Sequence, residues 1–132
     1  MHFMQGLPDF AAYFGMGLGF MVLYVLLYLY ATPHREITLI RGDNLPAAVV
    51  LAGALLGFAV PLASALRIAS GLLDVAAWAF MALIAQLAAY ALVALLLKDF
   101  SKRINRGEMA AAVLAGSIHL GVGLINSAAM SF

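Results

Sequence analysis

The chain has 132 residues, 66% of them hydrophobic and only 10% charged, with a formal net charge of +1 and a mean hydropathy of +1.06. A soluble domain carries about 25% charged residues, so this composition excludes an ordinary water-soluble fold and describes a chain whose solvent is lipid. The near-neutral balance gives no electrostatic reason to bind nucleic acid, and the absence of cysteine excludes disulfides and thiolate chemistry.

The first nine residues carry no Lys or Arg. A cleaved leader wants a basic start, so the first apolar segment is expected to be retained. That segment, Phe10 to Ala31, has no Asp, Glu, Lys or Arg, and neither do Leu45 to Leu66, Val75 to Leu97 and Met109 to Phe132. Each is long enough to cross ~30 Å of hydrocarbon, which takes about 20 residues of helix. Hydrocarbon cannot satisfy free backbone groups, and the runs lack the alternation of barrel strands, so all four are expected to be helices of an all-α membrane protein.

In the first segment, "GMGLG" spaces Gly15 and Gly19 four apart, and Tyr24, Tyr28 and Tyr30 are expected at the membrane interface as anchors. In the loop "TPHREITLIRGDN", Thr32 is expected to cap a helix beginning at Pro33. Ile37 and Ile40 would then lie on the membrane while His34, Arg35, Glu36 and Arg41 face water. The second segment holds "GALLG" with Gly53 and Gly57, followed by Pro61, whose ring frees the carbonyl of Gly57. The third holds Gln86, and Trp78 near its outer end. The fourth holds Gly116, His119, Gly123, Asn126 and Ser127. Lipid tails are as apolar as leucine, so helices associate where small residues let backbones meet. Gly15, Gly19, Gly53, Gly57, Gly116 and Gly123 are therefore the expected packing or oligomer faces.

Arg35, Arg41, Lys98, Lys102, Arg103 and Arg106 fall in the loops between segments one and two and between three and four, whereas the opposite face has only Arg67. This bias places both hairpin loops in the cytoplasm and both termini outside.

A shift of 63 residues aligns "AAVVLAG" at Ala47 with "AAAVLAG" at Ala110 and carries Ser64 onto Ser127. The reading is a tandem duplication of a two-helix unit, repeat 1 about 9–69 and repeat 2 about 72–132, within a single membrane domain over 1–132. Two crossings per unit keep both copies in one orientation, related by a pseudo-twofold axis along the membrane normal. With these features, "TPHREITLIRGDNLPAAVVLAGALLGFAVPLASA" and "RINRGEMAAAVLAGSIHLGVGLINSAAM" resemble the YjfL family of bacterial inner-membrane proteins, domain of unknown function 350. The likeness extends to the opening "MHF" and the closing "SAAMSF". In that family a glutamate, a Leu-Ile pair and a Gly-Asn before the small-residue helix recur in tandem; Glu36, Leu39 and Ile40 fit. The pattern departs at "GDN", which inserts Asp43, and at "GEM", where no asparagine follows Gly107. The resemblance implies a bacterial inner-membrane location and brings no established activity.

Counted inward from the cytoplasmic ends, Gly57, Gln86 and His119 reach one depth. The freed carbonyl, the amide and the imidazole are expected to satisfy one another there, with Asn126 on the same helical face as His119 and Ser64 and Ser127 forming a second layer farther out. The competing reading is a hydrated path in which His119 relays protons. No carboxylate lies in any span, which weighs against a proton-coupled exporter. His2, His34 and His119 are dispersed over three levels, so no metal cluster follows from their spacing. No Ser-His-acid set or phosphate loop exists, and "RGD" at Arg41 is a turn. The sequence thus predicts no enzyme and no cofactor. It predicts an oligomeric scaffold or accessory subunit in the lipid bilayer, a dimer by preference. Its basic loops (Glu36, Arg41, Arg103, Arg106) would engage a cytoplasmic protein, and a small channel or transporter around Gly57, Pro61, Gln86, His119 and Asn126 is the alternative.

Overall fold

A computed structural model describes residues 3–33 and 35–130. Four of its six helices, α1 (Phe3–Ala31), α3 (Leu45–Ile68), α4 (Leu72–Leu96) and α6 (Met109–Ala129), are long and apolar enough to cross a membrane. Short helices α2 (Glu36–Arg41) and α5 (Phe100–Asn105) sit in the two hairpin connections, on what is called here the loop face. The expected spans are all present. Two begin earlier than the uncharged runs: α1 extends back past Asp9, and α4 takes Asp74 into its first turn, where the carboxylate accepts from the Ser70 amide at 3.1 Å and complements the helix dipole.

The helix before α3 differs from expectation. Thr32 caps nothing downstream; its hydroxyl turns back to the Leu29 carbonyl at 3.2 Å, and α2 starts only at Glu36. Glu36, expected to face water, is 1% exposed. At the end of α2, Asp43 takes a left-handed conformation (φ 66°), and at the end of α5 Gly107 does the same (φ 81°). The two turns share one hydrogen-bond pattern: Gly42, Asp43 and Asn44 amides donate to Thr38, Ile40 and Leu39, and Arg106, Gly107 and Glu108 amides to Lys102, Ile104 and Arg103. Asp43, read from sequence as an insertion, therefore occupies the conformation that Gly107 holds, and short polar side chains tolerate that region better than most. Asn44 then caps α3 by accepting from the Ala47 amide (2.9 Å) and ties the hairpins together by donating to the Ile104 carbonyl (3.1 Å).

The centre of the bundle is the contact between α3 and α6, the most extensive in the molecule. The two helices run parallel, with Gly53 meeting Gly116 towards the loop face and the Ser64 and Ser127 hydroxyls hydrogen-bonded towards the far face. Backbone touches backbone. A Cβ added at Gly53 would stand 2.5 Å from the Gly116 Cα, one at Gly57 would strike the His119 carbonyl, and one at Gly123 would strike the Gly57 carbonyl. Helices α1 and α4 flank this pair, each antiparallel to its neighbour: Gly17 and Tyr24 of α1 meet Leu66 and Phe58 of α3, while Ala82 and Gln86 of α4 meet Asn126 and His119 of α6. The core is accordingly small-residue packing (Ala54, Ala79, Ala82, Ala112, Ala115) with aromatic side chains from α1 (Tyr24, Tyr28) and α3 (Phe58) on its loop-face side.

Candidate functional site

Gln86, His119 and Gly57 do converge at one level, but through different atoms from those expected. Gln86 Nε2 donates to the backbone carbonyl of His119 at 3.1 Å, and Asn126 Nδ2 donates both to the Ala82 carbonyl (3.2 Å) and to Gln86 Oε1 (3.3 Å). Asn126 thus joins the Gln86 layer and bonds α6 to α4. The carbonyl that Pro61 frees at Gly57 is turned onto the Gly123 backbone, a setting for a weak Cα–H···O contact. The imidazole of His119 takes no part in the layer. It is fully buried, and neither ring nitrogen has a hydrogen-bond partner among the described residues. The second layer forms as expected from Ser64 and Ser127, with Arg67 adding a donor to Ser64 at 3.2 Å.

The imidazole faces the loop-side aromatic cluster, which sequence reasoning did not find. Tyr28 stands edge-on to the His119 ring (centroids 5.5 Å apart) and to Tyr90 (5.7 Å), while Tyr24 stacks on Phe58 (4.6 Å). Tyr28 donates its hydroxyl hydrogen to Glu36 Oε1 at 3.2 Å, both residues being buried. Tyr24 and Tyr28 are therefore core residues and not interfacial anchors, whereas Tyr30 is 89% exposed. Their spacing held the signal: positions 24 and 28 share a helix face that position 30 does not. Glu36 is the carboxylate that counting charges inside the four spans missed, because it enters the bundle from the connection.

Of the glycines, Gly53, Gly57, Gly116 and Gly123 are used within the chain, while Gly15 and Gly19 lie on the exposed face of α1 with nothing near a Cβ built on them. Of the four expected docking residues, Glu36 is unavailable because it is buried, and Arg41 is exposed. Arg103 and Arg106 both donate through Nε to Glu108 (2.8 and 2.9 Å), which holds that carboxyl below its usual range. Among the described residues no His, Asp and Glu group could hold a metal ion; His2 and His34 lie outside the described residues.

The family model called Domain of Unknown Function (DUF350) matches residues 1–130. The chain belongs to the DUF350 family. Its relatives include the UPF0719 inner membrane protein YjfL of Escherichia coli K12 and the protein of the same name from Escherichia coli O157:H7. Each is 35% identical over 132 residues, covering the whole of both chains. No solved structure matches. Because the DUF350 match runs through both hairpin connections as well as the four long helices, the Glu36–Tyr28 contact, the Gln86 layer and the α3–α6 seam all fall inside the family unit.

Proposed function

We propose that this DUF350 chain is a non-enzymatic, multi-pass component of the bacterial inner membrane. In this reading it is an oligomeric scaffold or accessory subunit whose hairpin loops lie in the cytoplasm and engage a partner protein. The α3–α6 seam carries the reading. Four glycines and a serine pair at the centre of the molecule are committed to holding two helices at backbone contact, an arrangement suited to rigidity.

The seam also supports descent from a duplicated two-helix unit. Gly53 faces Gly116 and Ser64 bonds Ser127, each pair 63 positions apart, as expected where equivalent residues meet on a pseudo-twofold axis along the membrane normal. The matching turns at Asp43 and Gly107 support it too, with the offset there one residue longer. An inner-membrane location draws on the printed names of the relatives, and cytoplasmic loops draw on the basic residues gathered at α2 and α5. With the seam glycines occupied, a dimer would join through α1, where Gly15 and Gly19 face outward, and a cytoplasmic partner would meet the exposed Arg41 and Lys102.

The second reading, a small channel or transporter, is favoured by the mid-membrane position of Gln86, His119 and Asn126, since polar side chains there are costly unless used. One experiment separates the two: the protein is sized in mild detergent and then reconstituted in liposomes for proton, cation and anion flux, with wild type and His119→Gln side by side. An oligomer without flux supports the scaffold. A monomer sinks the oligomer, and flux lost in His119→Gln with the assembly intact replaces the scaffold by the channel.

A further inference from the structure

We propose that the groove between the end of α4 and helix α5 binds the headgroup of a zwitterionic phospholipid, one whose phosphate is joined by a short carbon link to a primary ammonium. The inference goes beyond the scaffold reading and does not rest on it, since lipid meets the groove whether or not the loops also hold a protein.

Three observations carry it. The first is the shape and level of the groove. Its volume is about 470 Å³, inside the range of about 300–1,000 Å³ usual for small-molecule sites. Tyr90 and Ala94 near the end of α4 and Phe100 at the start of α5 form an apolar wall, and Asp99, Lys102 and Asn105 of the connection form a polar one. Both walls are held in place: Phe100 and Ile104 are buried and pin α5 to the bundle, while the Tyr90 ring stands edge-on to Tyr28. A groove that turns from apolar to polar where a spanning helix ends matches the boundary between acyl chains and headgroups. Leu95 and Leu96, exposed beside Ala94, continue the apolar wall onto the surface that faces lipid.

The second observation is a pair of unused charges. Asp99 and Lys102 are three positions apart at the start of α5, a spacing at which opposite charges on a helix ordinarily meet. They do not pair. Asp99, just ahead of the helix, takes the left-handed conformation (φ 58°, ψ 37°), and its carboxylate makes no capping hydrogen bond, the usual use of an aspartate there. Among the described residues neither this carboxylate nor the Lys102 ammonium has a hydrogen bond or ion pair.

The third is the order of donors and acceptors along the groove. Lys102 and Asn105, again three apart, share one side of α5 and supply ammonium and amide donors, while Asp99 at its head supplies only acceptors. This order selects the ligand. A phosphate takes hydrogen bonds from Lys102 and Asn105, and the ammonium linked to it donates to Asp99. The charges of Asp99 and Lys102 cancel, as do those of the headgroup. An anionic headgroup would be repelled by Asp99, and a trimethylated ammonium has no N–H to give it. A headgroup without acyl chains would leave the Tyr90 and Ala94 wall uncovered.

The test is native mass spectrometry of the full chain in mild detergent with phosphatidylethanolamine, phosphatidylglycerol or phosphatidylcholine carrying the same acyl chains. Lipid adducts are counted per chain, so the oligomeric state is read separately from the same spectra. Wild type is expected to bind phosphatidylethanolamine about tenfold more tightly than the other two, the size of one charge-assisted hydrogen bond. Asp99→Asn, which suits the left-handed backbone and removes only the charge, is expected to abolish that preference. Lys102→Gln is expected to weaken phosphatidylethanolamine and phosphatidylcholine alike, since both carry the phosphate. Lys98→Gln, an exposed neighbour that does not line the groove, is expected to change nothing. Equal binding of the three lipids by wild type, or a preference for phosphatidylglycerol, overturns the proposal. So does a preference that survives Asp99→Asn, or a loss in Lys98→Gln as large as that in Lys102→Gln, which is what diffuse surface charge predicts. Free phosphoethanolamine that displaces the lipid at equal concentration overturns the membrane as the source of the ligand.

Discussion

Replacing Gly123 by alanine tests whether the α3–α6 seam is set by backbone contact. The new methyl would collide with the Gly57 carbonyl oxygen, and its carbon would stand 2.8 Å and 2.9 Å from the Gly57 carbonyl carbon and Cα. All three are main-chain atoms, so no side chain can swing away and the helices must separate. Overpacking of this kind costs about 1–3 kcal/mol, against a gain of about 0.5–1 kcal/mol from replacing glycine inside a helix. Gly121→Ala is the matched control: it lies in the same helix, two residues away, with nothing within 4 Å of its Cβ, so only the helix gain applies. Thermal unfolding in detergent, followed by circular dichroism at fixed detergent and lipid, should rank Gly121→Ala at or above wild type and Gly123→Ala clearly below it. Equal stability of the two variants would refute the seam.

Three further outcomes are expected. In a double-mutant cycle of Gln86→Leu and Asn126→Leu, unfolding free energies should show a coupling of about 0.6–1.7 kcal/mol, the range for hydrogen bonds between membrane helices; zero coupling would mean that the Asn126–Gln86 contact contributes nothing. Because the chain has no cysteine, single cysteines at positions 2, 38, 71 and 102 should label from outside, inside, outside and inside, and outside labelling of position 102 would reverse the topology. The Arg103–Glu108–Arg106 clamp holds the Glu108 carboxyl below the ordinary value for a glutamate. Its contribution is therefore present above that value and is lost as pH falls through the lowered one. Between neutral pH and about pH 5, the protection of amides at the α5–α6 turn, taken relative to their intrinsic exchange rates at each pH, should stay constant and be lost only in stronger acid; a loss of protection already near pH 6 would contradict the clamp.

The number of crossings, their lengths and the shared depth of Gly57, Gln86 and His119 were legible in the sequence, because the bilayer acts on each segment separately: hydropathy and helical rise need no knowledge of neighbours. Small residues marked where helices could touch, and Pro61 marked which carbonyl would be freed, for the same local reason. What the sequence left open was rotation about each helix axis, which only packing against other helices decides. Gly53, Gly57, Gly116 and Gly123 turned inward while Gly15 and Gly19, equally spaced, turned outward. Rotation also put the His119 backbone, and not its ring, against Gln86, and sent Tyr24 and Tyr28 into the core. The largest difference lies at Glu36. Its place in a charged loop suggested exposure to water, but the turn back at Thr32 and the late start of α2 carry it beneath α1 to the Tyr28 hydroxyl. Burial of a loop carboxylate is a property of the assembled bundle, since its partner lies on another helix and no periodicity within the loop encodes it.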